Sequence, residues 1–349
     1  MNKTFKLVFS KARNTLMVVN EATKSTQTKG CRTVIAAAML SAIMATPAVA
    51  AGLGGAGVSI GGESGYILWE DAASAITVTE GQAGDLTIKA NEFTSSGNYG
   101  AITNNVGGSV AEINLAEGSE FTGNASNRTG AAITIFQAGK HESGSTDNVI
   151  TGATFSKNIT TTKGGAVASM LESATSKISG STTFVDSKFE KNTVTEGDGG
   201  AIYAERTSII VNGGSFTENT AGQNGGAIHS HIGSLTVDGA IFQKNEAGKN
   251  GGAIMAWSDS NSGTIQQVFK VTNSRFEGNS AVAKGGAVAW LEMEANEQGE
   301  QFLSIENTEF ISNSAAWGGA IYTDGKTVLN GQNRFEGNEA TTHGDLCST

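Results

Sequence analysis

The chain has 349 residues, with 47 glycines, a single proline and a net charge of −10. Residues 1–50 hold seven basic residues against Glu21 alone, a surplus of six, so the remaining chain carries −16. An acidic body argues against nucleic acid or anionic lipid as the main partner, and the regular return of Ile, Val, Leu and Phe argues against disorder.

The first element in chain order is a leader. Val34 to Met44 forms a short apolar run after a basic stretch, and the small residues Ala48 and Ala50 follow it. That order reads as a secretory signal cleaved between Ala50 and Ala51. About eleven apolar residues are too few for a membrane anchor. Pro47 lies in this leader, so the mature chain is free of proline, the residue that cannot donate to a strand ladder. Cys31 also lies there and leaves Cys347 without an intramolecular partner. The basic stretch begins Met1-Asn2-Lys3, continues with Phe5, Val8 and Phe9, then Ser10-Lys11-Ala12-Arg13-Asn14 and Val18-Val19-Asn20-Glu21. These residues resemble the extended signal-peptide region of Gram-negative autotransporters and related two-partner secreted proteins. The resemblance implies export by the Sec machinery and onward passage toward the cell surface.

After a segment at 51–90 that reads as an N-terminal cap or first coils, two motifs alternate through 91–349. One is Phe-x-x-Asn, at Phe121/Asn124, Phe155/Asn158, Phe189/Asn192, Phe216/Asn219, Phe242/Asn245, Phe276/Asn279, Phe310/Asn313 and Phe335/Asn338. The other is Gly-Gly-Ala-(Ile/Val), opened by Gly164-Gly165, Gly199-Gly200, Gly225-Gly226, Gly251-Gly252, Gly285-Gly286 and Gly318-Gly319. Phe to the next Gly-Gly takes eight to ten residues, whereas Phe to Phe ranges from 25 to 34. A fixed part beside an insertable part is the mark of a solenoid. The expected fold is all-β, a right-handed parallel β-helix with two or three strands per coil. Phe would fill the core, stacked Asn side chains would form a ladder and take the unusual dihedrals of a turn, and paired Gly would allow a sharp turn or close coil contact.

The same tetrapeptides resemble the passenger repeats of chlamydial polymorphic outer membrane proteins and similar autotransporter adhesins, from about Asn91 to Leu346. Such passengers are usually followed by a membrane-embedded barrel. Here the next glycine motif reads His343-Gly344-Asp345-Leu346 and the sequence stops at Thr349. The expectation is a truncated product or fragment, or a chain that relies on a separate barrel.

Chemistry is sparse. Asp186, Asp198, Asp238, Asp259 and Asp324 stand singly, and no Asp-Asp pair occurs. Gly197-Asp198-Gly199-Gly200 is faintly similar to the Gly-Asp-Ser-Gly of passenger serine proteases, with Gly where the nucleophile would be. The four histidines are His141, His229, His231 and His343, which makes a triad improbable. His229 and His231 could share a face as a metal-like pair, but Ile228 should point inward and leave both imidazoles on a solvated face. Trp257, Trp290 and Trp317 are aromatic candidates for sugar or protein contact, although core or loop packing is the expected role. A bulge or loop is expected at Trp290, where other coils have Ser, Ala or Thr. No catalytic, metal or cofactor site is assigned.

The resemblance implies a secreted or surface-displayed passenger in adhesion or surface interaction, with a host-cell, matrix or glycan ligand. The alternatives are a polysaccharide-active β-helix enzyme and a truncated passenger without activity of its own. The expected location is the cell surface, the outer membrane or the medium, or the periplasm for a truncated product.

Overall fold

Each repeat folds into one coil of four short strands, and each strand pairs in parallel with its counterpart one repeat further on. A computed structural model describes residues 119–137, 147–171, 180–259, 267–293 and 302–348. It also describes short strands at 5–10, 15–20, 58–61, 66–69, 76–78, 87–89, 102–103, 105–106, 109–110 and 113–115. One coil runs through Ser208–Asn212, Ser215–Thr217, Thr220–Ala221 and Ile228–His231. The next runs through Leu235–Asp238, Ile241–Gln243, Glu246–Ala247 and Ile254–Asp259. Stacked coils generate four parallel sheets, here called the long, Phe, short and GGA sheets in coil order. The fold is a parallel β-helix.

The strand count per coil exceeds the expected two or three because the chain bends between Phe and Asn. The residue before each Asn takes a left-handed dihedral, as at Lys157, Lys191, Glu218, Lys244 and Ser312, with glycine there in Gly123, Gly278 and Gly337. That bend separates the Phe strand from the short strand. The unusual dihedral therefore falls on the preceding residue, and the Asn is left free for hydrogen bonding.

Period-two alternation sets the core. In the long sheet Ile209 and Val211, Leu235 and Val237, Phe269 and Val271, and Leu303 and Ile305 face inward with at most 1% exposure. Phe121, Phe155, Phe189, Phe216, Phe242, Phe276, Phe310 and Phe335 stack in a column, with ring centroids 4.6–5.1 Å apart and planes within 10°. The strand spacing sets that distance, and each ring fully buried this way contributes about 1.5–3 kcal/mol.

Backbone donors are consumed between coils rather than within them. Ala201 N donates to Ala227 O at 2.9 Å, Ala227 to Ala253 at 2.9 Å and Ala253 to Ala287 at 2.9 Å. A proline in such a stack would orphan a buried carbonyl.

The Gly-Gly pair has two separate reasons. Gly225 has φ +65°, and a Cβ there would fall 2.3 Å from Ile228 O. Gly226 lies so close to the next coil that its Cβ would fall 2.1 Å from Gly252 O.

Toward the N-terminus, Ile76–Val78 and Thr87–Lys89 extend the long and Phe sheets. Val58–Gly61 pairs antiparallel with Tyr66–Trp69 at the edge of the GGA sheet. In the leader, Phe5–Ser10 pairs antiparallel with Thr15–Asn20. The cleavage pair Ala50 and Ala51 lies outside the described residues, as does His141.

Candidate functional site

Two side-chain ladders run along the stack. In the first, Asn158 Nδ2 donates to Asn192 Oδ1 at 2.8 Å and to Phe121 O at 3.0 Å, while its Oδ1 accepts from Asn124 N at 3.1 Å and Asn124 Nδ2 at 2.8 Å. The pattern repeats through Asn192, Asn219, Asn245, Asn279 and Asn313 to Asn338. Asn124 to Asn313 are fully buried, so these satisfied amides tie three successive coils together in low dielectric.

The second ladder lies outside the GGA sheet. The residue before each Gly-Gly pairs with its counterpart in the next coil: Thr129 with Lys163 and Asp198, then Asn224 with Asn250, Lys284 and Trp317. Asn224 Nδ2 donates to Asp198 Oδ1 at 2.8 Å, and Asn250 Nδ2 donates to Asn224 Oδ1 at 2.9 Å. The sequence signal for this row is the residue one place before each Gly-Gly, polar at Lys163, Asp198, Asn224, Asn250 and Lys284 and aromatic at Trp317, which the reading of motifs alone passes over.

This outer row covers the face that would otherwise meet water. Thr134, Ala168, Tyr203, His229, Met255, Ala289 and Tyr322 each follow an inward Ile or Val, yet none exceeds 3% exposure. Lys163 Nζ sits 4.6 Å from the Tyr203 ring centroid and Lys284 Nζ 4.1 Å from that of Tyr322. The expectation of a solvated His229 is therefore corrected: it is 2% exposed, with Asp198 and the Tyr203 ring of the preceding coil packed against it. Only His231, one pleat further, is half-exposed.

The richest part of this wall spans three coils. Lys163 Nζ bonds Glu205 Oε2 at 2.7 Å, and Tyr203 Oη donates to the same oxygen at 3.1 Å. Asp198 Oδ2 is 3.5 Å from His229 Nδ1. The His229 ring meets Tyr203 edge-on at 5.5 Å and lies 6.1 Å from His231, which packs 5.0 Å from Trp257. Among the described residues, Asp198 is the polar side chain nearest His229 Nδ1, and no partner lies within hydrogen-bond geometry of Nε2. Beside them runs a half-exposed stripe in register, Phe136, Met170, Glu205, His231, Trp257 and Leu291.

Electrostatics keep the acids of this cluster ionised. Burial pushes the Asp198 carboxyl up, but His229 and the two Asn224 donors outweigh it and hold it below the usual range. Burial acts likewise on Glu205, and Lys163 with Tyr203 brings it below its ordinary value. Burial, then Glu205, pushes the Tyr203 phenol up. Burial and His229 lower the His231 imidazole. Among the described residues no three potential metal ligands converge.

The remaining carboxylates lie elsewhere. Asp186 is at a left-handed corner after the long sheet. Asp238 accepts from Thr272 Oγ1 and Asn273 Nδ2 at 2.7 and 2.8 Å, and Asp324 is 3.9 Å from Lys284. The Asp259 side chain lies outside the described residues. Trp290 forms no bulge. It sits in regular register between Ala256 and Thr323, points inward at 1% exposure and packs 5.8 Å from Phe269. Those two small neighbours make room for the indole. Trp317 stacks on His343 at 4.1 Å.

Residues 1–50 match the extended signal peptide of the type V secretion system. Residues 186–205, 213–231 and 307–324 match the Chlamydia polymorphic membrane protein repeat. The leader and these three repeats are similar to those of autotransporter passengers. Each matched repeat runs from the corner before Phe, through Asn and Gly-Gly, to the GGA strand or its near end. The signal implies export by the Sec route, and with the repeats it points to an outer-membrane or surface protein. No curated protein and no solved structure matches the chain.

Proposed function

We propose that this passenger is an adhesive rod that holds variable segments at the bacterial surface, and that it is freed from its leader between Ala50 and Ala51. One observation carries the reading: from residue 119 onward, the connections that lengthen a coil all fall at one corner. Segments 138–146, 172–179, 260–266 and 294–301 each connect a GGA strand to the next long strand, whereas 206–207 and 232–234 close the same corner tightly. Sequence variation is thus concentrated at one edge of a frame fixed by two ladders, the arrangement used to present binding loops on a scaffold.

The carboxylates speak for binding over hydrolysis. A glycoside hydrolase needs a protonated acid beside a second carboxylate, whereas Asp198 and Glu205 are both held ionised and tied to partners. Host-cell, matrix or glycan surfaces are the proposed ligands. Replacing the four insertions by neutral linkers should abolish attachment of bacteria displaying the chain and leave the β-signal in circular dichroism unchanged. Polysaccharide turnover by the purified chain, lost on changing one carboxylate, would replace this reading with an enzyme. N-terminal sequencing of exported material checks the cleavage point, and a start at Met1 outside the cytoplasm would overturn it.

A further inference from the structure

Glu205 and His231 end their GGA strands at the two tight corners, 206–207 and 232–234, with the insertions 172–179 and 260–266 on the coils to either side. Turns this short strain the backbone. Arg206 and Ile232 hold φ at +57° and +56°, and Ile232 is β-branched and 3% exposed. The following coil fixes each corner: Arg206 N donates to His231 O at 3.0 Å, and Ile232 N donates to Trp257 O at 2.8 Å. No insertion therefore rises from the strand ends that carry Glu205 and His231.

Beside these corners the outward row of the GGA sheet runs Glu205, His231, Trp257, in register on three successive strands and each half-exposed. At about 4.8 Å per strand the row is about 10 Å long, the scale of a short oligosaccharide. Both hydrogen bonds to Glu205, from Lys163 and Tyr203, fall on Oε2, and among the described residues none engages Oε1. The His231 side chain makes no hydrogen bond among the described residues, and neither of its nitrogens is buried. Burial and His229 hold this imidazole below its ordinary value, so at neutral pH it is uncharged and offers one donor and one acceptor. Trp257 has its Nε1 buried, so the part of the indole left at the surface is apolar. The His231 ring packs 5.0 Å from it. Polar and apolar groups thus lie side by side, as the hydroxyl rim and C–H face of a sugar require.

We propose that Glu205, His231 and Trp257 form a subsite for a neutral pyranose of a glycan chain. The C–H face of the sugar lies on the exposed part of the Trp257 indole, one hydroxyl donates to Glu205 Oε1, and another exchanges a hydrogen bond with His231. The surrounding charge selects against other ligands. The chain outside the leader carries −16, and Asp198 and Glu205 are ionised, which repels acidic sugars. Lys163 pairs with Glu205 at 2.7 Å, which leaves no unpaired anion for a cationic peptide. The assignment names a ligand class for the adhesive rod and rests on that reading. The subsite adds to the contacts of the insertions and does not replace them.

The test is a titration of the purified chain with neutral oligosaccharides and their sialylated or sulfated counterparts, read by saturation-transfer NMR of the sugar. At least one neutral oligosaccharide should bind, with the strongest transfer to the C–H protons of one ring face, and its acidic counterpart should bind more weakly. Trp257→Leu and His231→Gln should each weaken binding by about tenfold, the size of one lost contact. Trp257→Phe keeps a flat ring and should hold most of the binding. Slow hydrogen exchange around the Phe column reports that each variant is folded. The chain with neutral linkers in place of the four insertions should still bind the sugar, although bacteria displaying it no longer attach. Attachment that survives the linkers would overturn the adhesive rod and not the subsite. Binding unchanged in both Trp257→Leu and His231→Gln, a preference for the acidic sugars, or failure to bind any neutral oligosaccharide would overturn the subsite.

Discussion

Asn192 donates its side-chain amide to Oδ1 of Asn219 at 2.9 Å, and the Asn192 backbone N–H donates to the same oxygen at 3.0 Å. One carbonyl oxygen thus satisfies two buried donors of the preceding coil, while Nδ2 of Asn219 reaches back to Phe189 O at 3.0 Å. Asn219→Ala removes these partners together. Each orphaned buried group costs about 1–3 kcal/mol, so the loss should reach at least about 3 kcal/mol in urea unfolding. Asn338→Ala, at the half-buried end of the ladder, should cost less. Equal losses at the two positions would show that burial does not set the ladder's strength.

Phe216→Ala and Phe242→Ala each open a void in the middle of the ring column. The expected loss is about 3–5 kcal/mol. Because each coil touches only its neighbours, the damage should stay local. Hydrogen exchange should quicken in coils around 189–276 and remain slow near Phe310. A uniform rise along the chain would indicate a single cooperative unit.

Lys244 is exposed and holds φ at +53°. A left-handed dihedral costs a non-glycine residue about 1–2 kcal/mol, against about 0.5–1 kcal/mol of extra chain entropy for glycine. Lys244→Gly should therefore leave stability unchanged or raise it by up to about 1.5 kcal/mol. Gly225→Ala, with its φ of +65° and backbone 2.3 Å from the new Cβ, should be strongly destabilising. A loss at Lys244→Gly comparable with that at Gly225→Ala would contradict the dihedral argument.

Acid should weaken the outer wall in two steps. The folded chain lowers the His231 pKa from 6.5, so the unfolded chain takes up that proton first, and stability falls as pH drops from about 6.5 toward the lower folded value. Asp198 and Glu205 are also lowered, from 3.8 and 4.5. Their contribution is present above those values and is lost as pH falls through the folded ones. His231→Asn should remove the first step and leave the second. Chemical unfolding across this pH range checks it, and a first step that survives His231→Asn would assign it to another group.

The repeat, its inward Phe and its coil-to-coil Gly were legible in the sequence because they recur at spacings that only a stacked coil explains. Phe216 and Phe242 declare a buried column by chemistry and period alone. The outer wall was not legible. Alternation from Ile228 assigns His229 to solvent, and it does so correctly for a single sheet. Asp198 and Tyr203 of the preceding coil pack against His229, and no local pattern in the strand records which residues of a neighbouring coil will cover it. Trp290 shows the same limit from the inside. Its size suggested a bulge, yet the space that accepts it comes from Ala256 and Thr323, 34 residues before and 33 after it, which become neighbours only when the coils stack. Local periodicity determines which face each side chain takes relative to its own strand, whereas the packing of the coils decides what lies across from that face.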